Sequence, residues 1–173
     1  MIKKGSRARG FTLIEILVVI GIIAVLAAIV IIAINPSKQF AQARNTQRQS
    51  NVDAILNAIG QRMADNKGIF QGGFFAAGDS TQYICPTLPP VSASTSITYT
   101  LNSHGVSDPT LVTGDLSCLT PTYIASFPID PTAPSGTTGY TVGVDQAGRV
   151  TVCAPLAASE TSIPGAAIIC VKR

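Results

Sequence analysis

One apolar run constrains this 173-residue chain more than any other feature. Residues 11–34 are almost unbroken in their apolar character, and Glu15 is the only charged residue among them. At about 1.5 Å per residue, a helix of this length crosses a hydrocarbon core of about 30 Å. The residues that follow are rich in Gly, Pro, Ser and Thr and have ordinary polarity. The sequence therefore predicts a membrane segment joined to a small exported domain.

The ten residues before this run are basic. They include four Lys or Arg residues and end in Gly10. An ordinary secretory signal places an apolar stretch between its basic start and its cleavage site, whereas here the basic piece meets the apolar run directly at Gly10–Phe11. Cleavage at this bond would leave the apolar stretch on the mature chain.

The formal charge of +3 depends on this leader. Without residues 1–10, eight basic residues face nine acidic ones, which is a net charge of −1. Residues 35–68 then carry +3 and residues 69–173 carry −3. A mildly acidic head argues against a general nucleic-acid binder, which would need a basic face. We therefore do not expect a nucleic-acid partner.

The four cysteines all lie in the part that we expect to be exported. They are Cys85, Cys118, Cys153 and Cys170. An even number in this context predicts two disulfides, with buried free thiols as the alternative. Three pairings are possible, and we favour Cys85–Cys118 with Cys153–Cys170 because each joins neighbouring segments. No C-x-x-C pair occurs, so a zinc site is not expected.

A proline follows the apolar run at Pro36. Because proline lacks an N–H group and clashes one turn back, we predict a kink or break between Ile32 and Pro36. A second helix is then predicted over Ser37–Lys67, with Ser37 as its candidate cap.

The second helix is predicted to be amphipathic. Its apolar residues recur at helical spacing on one face. They are Val52, Ile55, Leu56, Ile59 and Met63. We expect the head to cover this stripe, and a second chain is the alternative. Asn66-Lys67-Gly68 is predicted to end the helix.

Beyond Gly68, short strand-like segments alternate with turn residues. The predicted strands are Ser96–Leu101, Gly139–Val144, Arg149–Ala154 and Ala166–Val171. Residues 145–148 are predicted to form a hairpin turn, and residues 69–94 a long loop. The fold class is α+β: a long N-terminal helix, first transmembrane and then amphipathic, packed on a small antiparallel sheet. The domains are a leader at 1–10, a membrane helix at 11–34, a stem at 35–68 and a head at 69–173.

Residues 10–15 are Gly-Phe-Thr-Leu-Ile-Glu, and an apolar helix is predicted directly after them. This segment resembles the type IV prepilin signature. The resemblance is close over residues 10–34, and the head matches only in general plan. Residues 127–131, Phe-Pro-Ile-Asp-Pro, are similar to a Pro-x-Asp-Pro segment of pseudopilins. The family implies that a prepilin peptidase cuts between Gly10 and Phe11 and methylates Phe11. The family also implies that the processed subunit stays in the inner membrane until an assembly platform adds it to a filament.

The chemistry of Glu15 supports the same function. An acidic residue at the centre of a lipid-facing helix costs about 3 kcal/mol, and less near a helix end. Cleavage would give Phe11 a free α-amine, so we expect Glu15 of one subunit to pair with the Phe11 amine of a neighbour and set the axial register. The alternative is a tolerated glutamate at the positive start of a helix.

Sites for catalysis, cofactors or metals are not predicted. His104 is the only histidine and is expected to be a loop residue, and no G-x-S-x-G, P-loop or H-E-x-x-H motif occurs. A calcium site at Asp130 or Asp145 would follow the analogy with pseudopilins, but we expect solvated turn aspartates there.

The sequence therefore predicts a structural subunit of a type IV pilus-like filament and not an enzyme. Its expected partners are prepilin peptidase, other pilin subunits, the assembly platform and membrane lipid. The subunit would first be a single-pass protein of the cytoplasmic membrane, with a cytoplasmic N-terminus and an exported head, and then part of a surface filament. The alternatives are a pseudopilin of a type II secretion system, a competence pilin, or, outside the family, a single-pass protein with a binding head.

Overall fold

The computed structural model describes residues 10–75, 82–90, 95–97, 114–135 and 137–173. The chain divides into two compact units between Gln39 and Phe40. The helices are α1 and α2, and the strands are β1 to β6. Their bounds are α1 Leu13–Ile34, α2 Pro36–Asp65, β1 Gly72–Phe75, β2 Gln82–Cys85, β3 Thr95–Ser96, β4 Thr141–Val144, β5 Val150–Ala154 and β6 Ile169–Lys172. The α+β class is confirmed.

Helix α1 is apolar on every side and none of its residues is buried. Among the described residues it is the one helix that is long and apolar enough to cross a membrane. A helix that is hydrophobic all round belongs in a membrane or inside a bundle of other helices. Within residues 10–39 no residue is buried, so this described part of the first unit has no core that covers α1.

The predicted break lies at Asn35, which adopts the left-handed conformation with φ 46°. Helix α2 then begins at Pro36, since proline at the first helical position has a suitable φ and needs no N–H partner. The prediction that Ser37 caps α2 is wrong. The N–H of Lys38 donates to the Asn35 carbonyl at 3.1 Å and to the Asn35 side-chain oxygen at 3.4 Å, so Asn35 takes that place.

Helix α2 ends at Asp65, two residues before the predicted boundary. Lys67 and Gly68 both have positive φ, 57° and 88°. The N–H of Gly68 donates to the carbonyl of Met63 at 2.7 Å, which closes the last turn. The stop was thus predicted in the right segment.

The apolar stripe of α2 is covered by the head, as predicted. Four of its five residues are buried, and Met63 is partly buried against the same core. The sheet and a short 3-10 helix at Ser117–Leu119 supply the other side of this core. The contributing residues include Leu116, Leu119, Tyr140, Val142, Val150, Val152 and Ala154.

The main sheet has the order β3-β4-β5-β6 and is antiparallel throughout. Strands β4 and β5 and the turn between them confirm the predicted hairpin, in which the N–H of Asp145 donates to the Arg149 carbonyl at 2.9 Å. Strand β6 begins three residues later than predicted because residues 160–166 form successive turns. Of the strand predicted at Ser96–Leu101, residues 98–101 lie outside the described residues.

The prediction of a long loop over residues 69–94 is wrong in part. Strands β1 and β2 pair as an antiparallel hairpin, with Gly72 opposite Cys85 and Phe75 opposite Gln82. The glycines and prolines of this stretch suggested a loop, but short runs of aromatic and β-branched residues between them favour strands.

Two disulfides join the segments of the head, and they have the pairing that the sequence analysis favours. Cys85 at the end of β2 is joined to Cys118 in the 3-10 helix, and Cys153 is joined to Cys170, its register partner on β6. A disulfide commonly stabilises a fold by about 2–4 kcal/mol. These links therefore tie the outer elements of the head to its core.

Gly139, just before β4, is a tightly packed glycine position. Its φ is +80°, and a Cβ there would lie 2.6 Å from Cβ of Asp130 and 3.1 Å from Cβ of Ala133. We predict that Gly139→Ala destabilises the full chain by about 2–5 kcal/mol, from left-handed strain together with overpacking. Urea unfolding in detergent, followed by circular dichroism, measures this change.

The matched control is Gly165→Ala. Gly165 has a similar φ of +70°, but nothing lies within 4 Å of a Cβ there. Its substitution should cost only the strain, about 1–2 kcal/mol. If Gly139→Ala and Gly165→Ala lowered the free energy of unfolding by the same amount, the close packing around Gly139 would be contradicted.

Candidate functional site

The start of α1 is fixed by a reciprocal pair of hydrogen bonds between Thr12 and Glu15. The N–H of Glu15 donates to Oγ1 of Thr12 at 3.3 Å, and the N–H and Oγ1 of Thr12 both donate to Oε2 of Glu15 at 2.8 Å. This arrangement is a capping box, which satisfies helix N–H groups that would otherwise lack a partner. It aims the Glu15 carboxylate back toward the N-terminus.

This capping box is not among the predictions made from the sequence, although the Thr-x-x-Glu spacing at residues 12–15 indicates it. The finding changes the local interpretation of Glu15. The residue has a partner within its own chain, and both hydrogen bonds to its side chain end on Oε2. No donor from the described residues is hydrogen-bonded to Oε1.

Gly10 and Phe11 lie outside the helix, immediately before its cap. Both are exposed, and the Phe11 side chain is 84% exposed. Thr12 is also extended, with φ −83° and ψ 149°. A Cβ at Gly10 would meet no atom within 4 Å, so packing inside the described chain does not require glycine at this position.

The residues predicted for cleavage and assembly, Gly10, Phe11 and Glu15, thus lie within one turn of the start of α1. Among the described residues no hydrogen bond joins Phe11 to Glu15, whose carboxylate is bonded to Thr12. The four cysteines of the head are all in disulfides.

Residues 5–34 match the family model for the prokaryotic N-terminal methylation motif. This motif is the hallmark of the type IV pilin and prepilin family. The matched segment contains α1 and its cap and leaves the head outside. No curated protein and no solved structure matches the chain. The family match is therefore limited to the N-terminal segment. For the head, the available observations are its own residues and their contacts.

The head is joined to α2 by a buried ion cluster around Arg48. Arg48 is fully buried, and its guanidinium lies against Asp130, with Nε donating to Oδ2 at 2.6 Å and Nη2 to Oδ1 at 3.1 Å. Nη1 donates to Glu160 at 2.5 Å and to Asn45 at 2.7 Å, and Nη2 also donates to Thr132 at 2.7 Å. All five guanidinium N–H groups therefore have an acceptor.

Arg44 completes the cluster one helical turn earlier. Its Nε and Nη2 donate to the two carboxylate oxygens of Glu160 at 2.8 Å and 2.5 Å. The Arg44 guanidinium, with that of Arg48, lowers the pKa of Glu160 to about 2. Burial by itself would raise the pKa of Asp130, but the Arg48 guanidinium and the hydrogen bonds from Thr132 outweigh it and hold that pKa below its ordinary value. Two cations thus face two ionised carboxylates.

This cluster corrects the expectation of solvated aspartates. Asp130 is only 3% exposed and its carboxylate is taken by Arg48 and Thr132. Asp145 lies in the hairpin turn, where Lys172 at 2.6 Å and Arg149 at 3.0 Å pair with its carboxylate. Within the described ranges no group of three or more His, Cys, Asp or Glu residues is placed to hold a metal. His104 lies outside those ranges.

The chain offers two Arg–Asp pairs in contrasting surroundings, and they give a matched test of the cluster. In the Arg48–Asp130 pair both side chains are 0% exposed, whereas the Arg149 side chain is 60% exposed. We predict that Arg48→Met destabilises the chain by about 3–5 kcal/mol, because it leaves Asp130 as a buried charge without its cation.

The control, Arg149→Met, should change the free energy of unfolding by about 0–1 kcal/mol. Chemical denaturation of both variants at neutral pH supplies the comparison. Similar stabilities for Arg48→Met and the unaltered chain would show that the cluster contributes nothing specific.

Proposed function

We propose that this chain is a membrane-anchored prepilin that is shortened at Gly10–Phe11 and then assembles into a type IV pilus-like filament. The single observation that carries the proposal is the methylation motif at residues 5–34, which coincides with a helix of which no residue is buried. Residues 1–10 act as the leader, 11–34 as the anchor and filament-core helix, 35–68 as the stem and 69–173 as the head. The role is structural rather than catalytic.

Processing is supported by the conformation around the scissile bond. Gly10 and Phe11 are exposed and non-helical, and the cap at Thr12 keeps the helix from extending into them. Since nothing within the described chain requires glycine at position 10, a narrow protease site is the feature that favours it. Prepilin peptidase would cut this bond and methylate the new amine of Phe11.

Assembly is supported by the geometry of Glu15. The capping box holds the carboxylate at the N-terminal end of α1 and occupies Oε2. Oε1 is then available for the Phe11 amine of a neighbouring subunit. Because lipid tails are as apolar as α1 itself, helix packing and this ion pair must drive the association within the membrane. The pair would also fix the axial register of neighbouring helices.

Orientation is supported by the head. Its two disulfides are typical of proteins in an oxidising compartment, which supports a head on the exported side. The basic leader then remains in the cytoplasm, consistent with the bias of Lys and Arg toward that side. The subunit is therefore a single-pass protein before assembly and becomes part of a surface filament afterwards.

The capping box allows the charge of Glu15 to be separated from its hydrogen bonds. Glutamine at the third helical position can also complete a capping box. We predict that Glu15→Gln is processed at Phe11 but forms few filaments, because it retains the cap and loses the ion pair. Glu15→Ala, which loses both, should be equally deficient in assembly while processing remains largely intact.

The measurements are the mass of the mature N-terminus and the yield of sheared filaments. Thr12→Ser serves as the control, since serine keeps a hydroxyl cap next to an unchanged Glu15. Normal filament yield from Glu15→Gln would eliminate the ion pair as the determinant of assembly and leave the cap as the role of Glu15.

A further inference from the structure

Helix α2 exposes one large aromatic side chain close to its N-terminal end. Phe40 is 65% exposed, although Ala41, the next residue, is fully buried. Among the described residues that follow α1, the other large hydrophobic side chains with comparable exposure are Ile69, Ile129 and Ile168. Phe40 is thus the aromatic residue of this group, and it is the member nearest in sequence to the C-terminal end of α1.

The distance along the chain limits where Phe40 can lie. Helix α1 has 22 residues and, at about 1.5 Å per residue, it is long enough to fill a hydrocarbon core of about 30 Å. Phe40 follows Ile34 by six positions, and the last four of these steps are helical, so chain connectivity keeps Phe40 within about 13 Å of Ile34 whatever direction α2 takes after Asn35. The polar headgroup region adds about 5–8 Å on each side of the hydrocarbon core. When α1 spans a bilayer, Phe40 is therefore close enough to the end of α1 to reach the headgroup layer.

A cation lies two residues earlier. Lys38 is exposed, and within the described part of the chain it forms no ion pair. The next two cations of α2, Arg44 and Arg48, are committed to Glu160 and Asp130. Lys38 is thus the cation of α2 that is close to the end of α1 and has no carboxylate of its own.

We infer that Lys38 and Phe40 form a second membrane contact, in the headgroup layer on the exported side of the bilayer. The Phe40 ring lies among the glycerol and upper acyl groups, and the Lys38 ammonium donates to the phosphates of phospholipids. Interfacial helices combine such basic and aromatic side chains in the same way. The inference rests on the proposed function, because it requires α1 to span the membrane.

This contact would increase the affinity of the unassembled subunit for the membrane. It fixes the depth of the α1–α2 junction, since an aromatic ring and a cation favour the interface over either water or hydrocarbon. Both contacts with lipid must be given up when the subunit leaves the bilayer.

The absence of tryptophan from the sequence makes the depth of single positions measurable. Three full-length variants each carry one tryptophan: Phe40→Trp, Ile23→Trp in the middle of α1, and Ile69→Trp beyond the far end of α2. Ile69 is a matched control because its exposure of 60% is close to the 65% of Phe40. Each variant is reconstituted in phospholipid vesicles that contain lipids brominated either near the headgroup or deep in the acyl chain.

The inference predicts that the tryptophan of Phe40→Trp is quenched by the shallow bromines and emits at shorter wavelength than that of Ile69→Trp, which stays unquenched. The tryptophan of Ile23→Trp should be quenched by the deep bromines. If the tryptophan of Ile23→Trp is quenched but that of Phe40→Trp stays unquenched like that of Ile69→Trp, the inference is overturned. The membrane anchor would still be supported by that result. Failure to quench Ile23→Trp would refute the anchor, and the inference with it.

The role of Lys38 is tested in the Phe40→Trp background. Raising the fraction of phosphatidylglycerol should increase the shallow quenching, and Lys38→Gln should remove this increase. Lys67→Gln, at the other end of α2, should leave it unchanged. An equal response of the two lysine variants would contradict a contact between Lys38 and lipid phosphate.

Discussion

Everything in this chain depends on one constraint: a 22-residue helix that is apolar except for Glu15 and has no buried side chain has to be covered by something outside its own fold. In the proposed function, lipid would satisfy that need before assembly, and neighbouring helices would satisfy it in a filament. Because the two surroundings are similarly apolar, the change between them requires a specific interaction. A charged group at the start of the helix is the feature of α1 that can provide it.

The head is built so that it does not depend on the surroundings of α1. Its core, its two disulfides and the Arg48 cluster all lie within residues 40–173. The cluster carries two cations and two carboxylates, so α2 is held to the head without leaving a net buried charge. A subunit that passes from a membrane into a filament can therefore keep the same folded head throughout.

Local patterns predicted much of this fold. The apolar run, the break near Pro36, the buried stripe of α2 and the β4–β5 hairpin all depend on residues close together in sequence. The Arg48 cluster could not be predicted in this way, because its acidic partners are 82 and 112 residues away. The β1–β2 hairpin was missed because its short strands lie among glycines and prolines. The capping box at Thr12 was visible in the sequence and was overlooked.

The central claim is that cleavage creates the charged N-terminus on which assembly depends. Mass spectrometry of subunits taken from purified filaments tests it most directly. The account predicts a chain that begins at Phe11 and carries one methyl group on its terminal nitrogen. Filaments whose subunits retain residues 1–10 would contradict it.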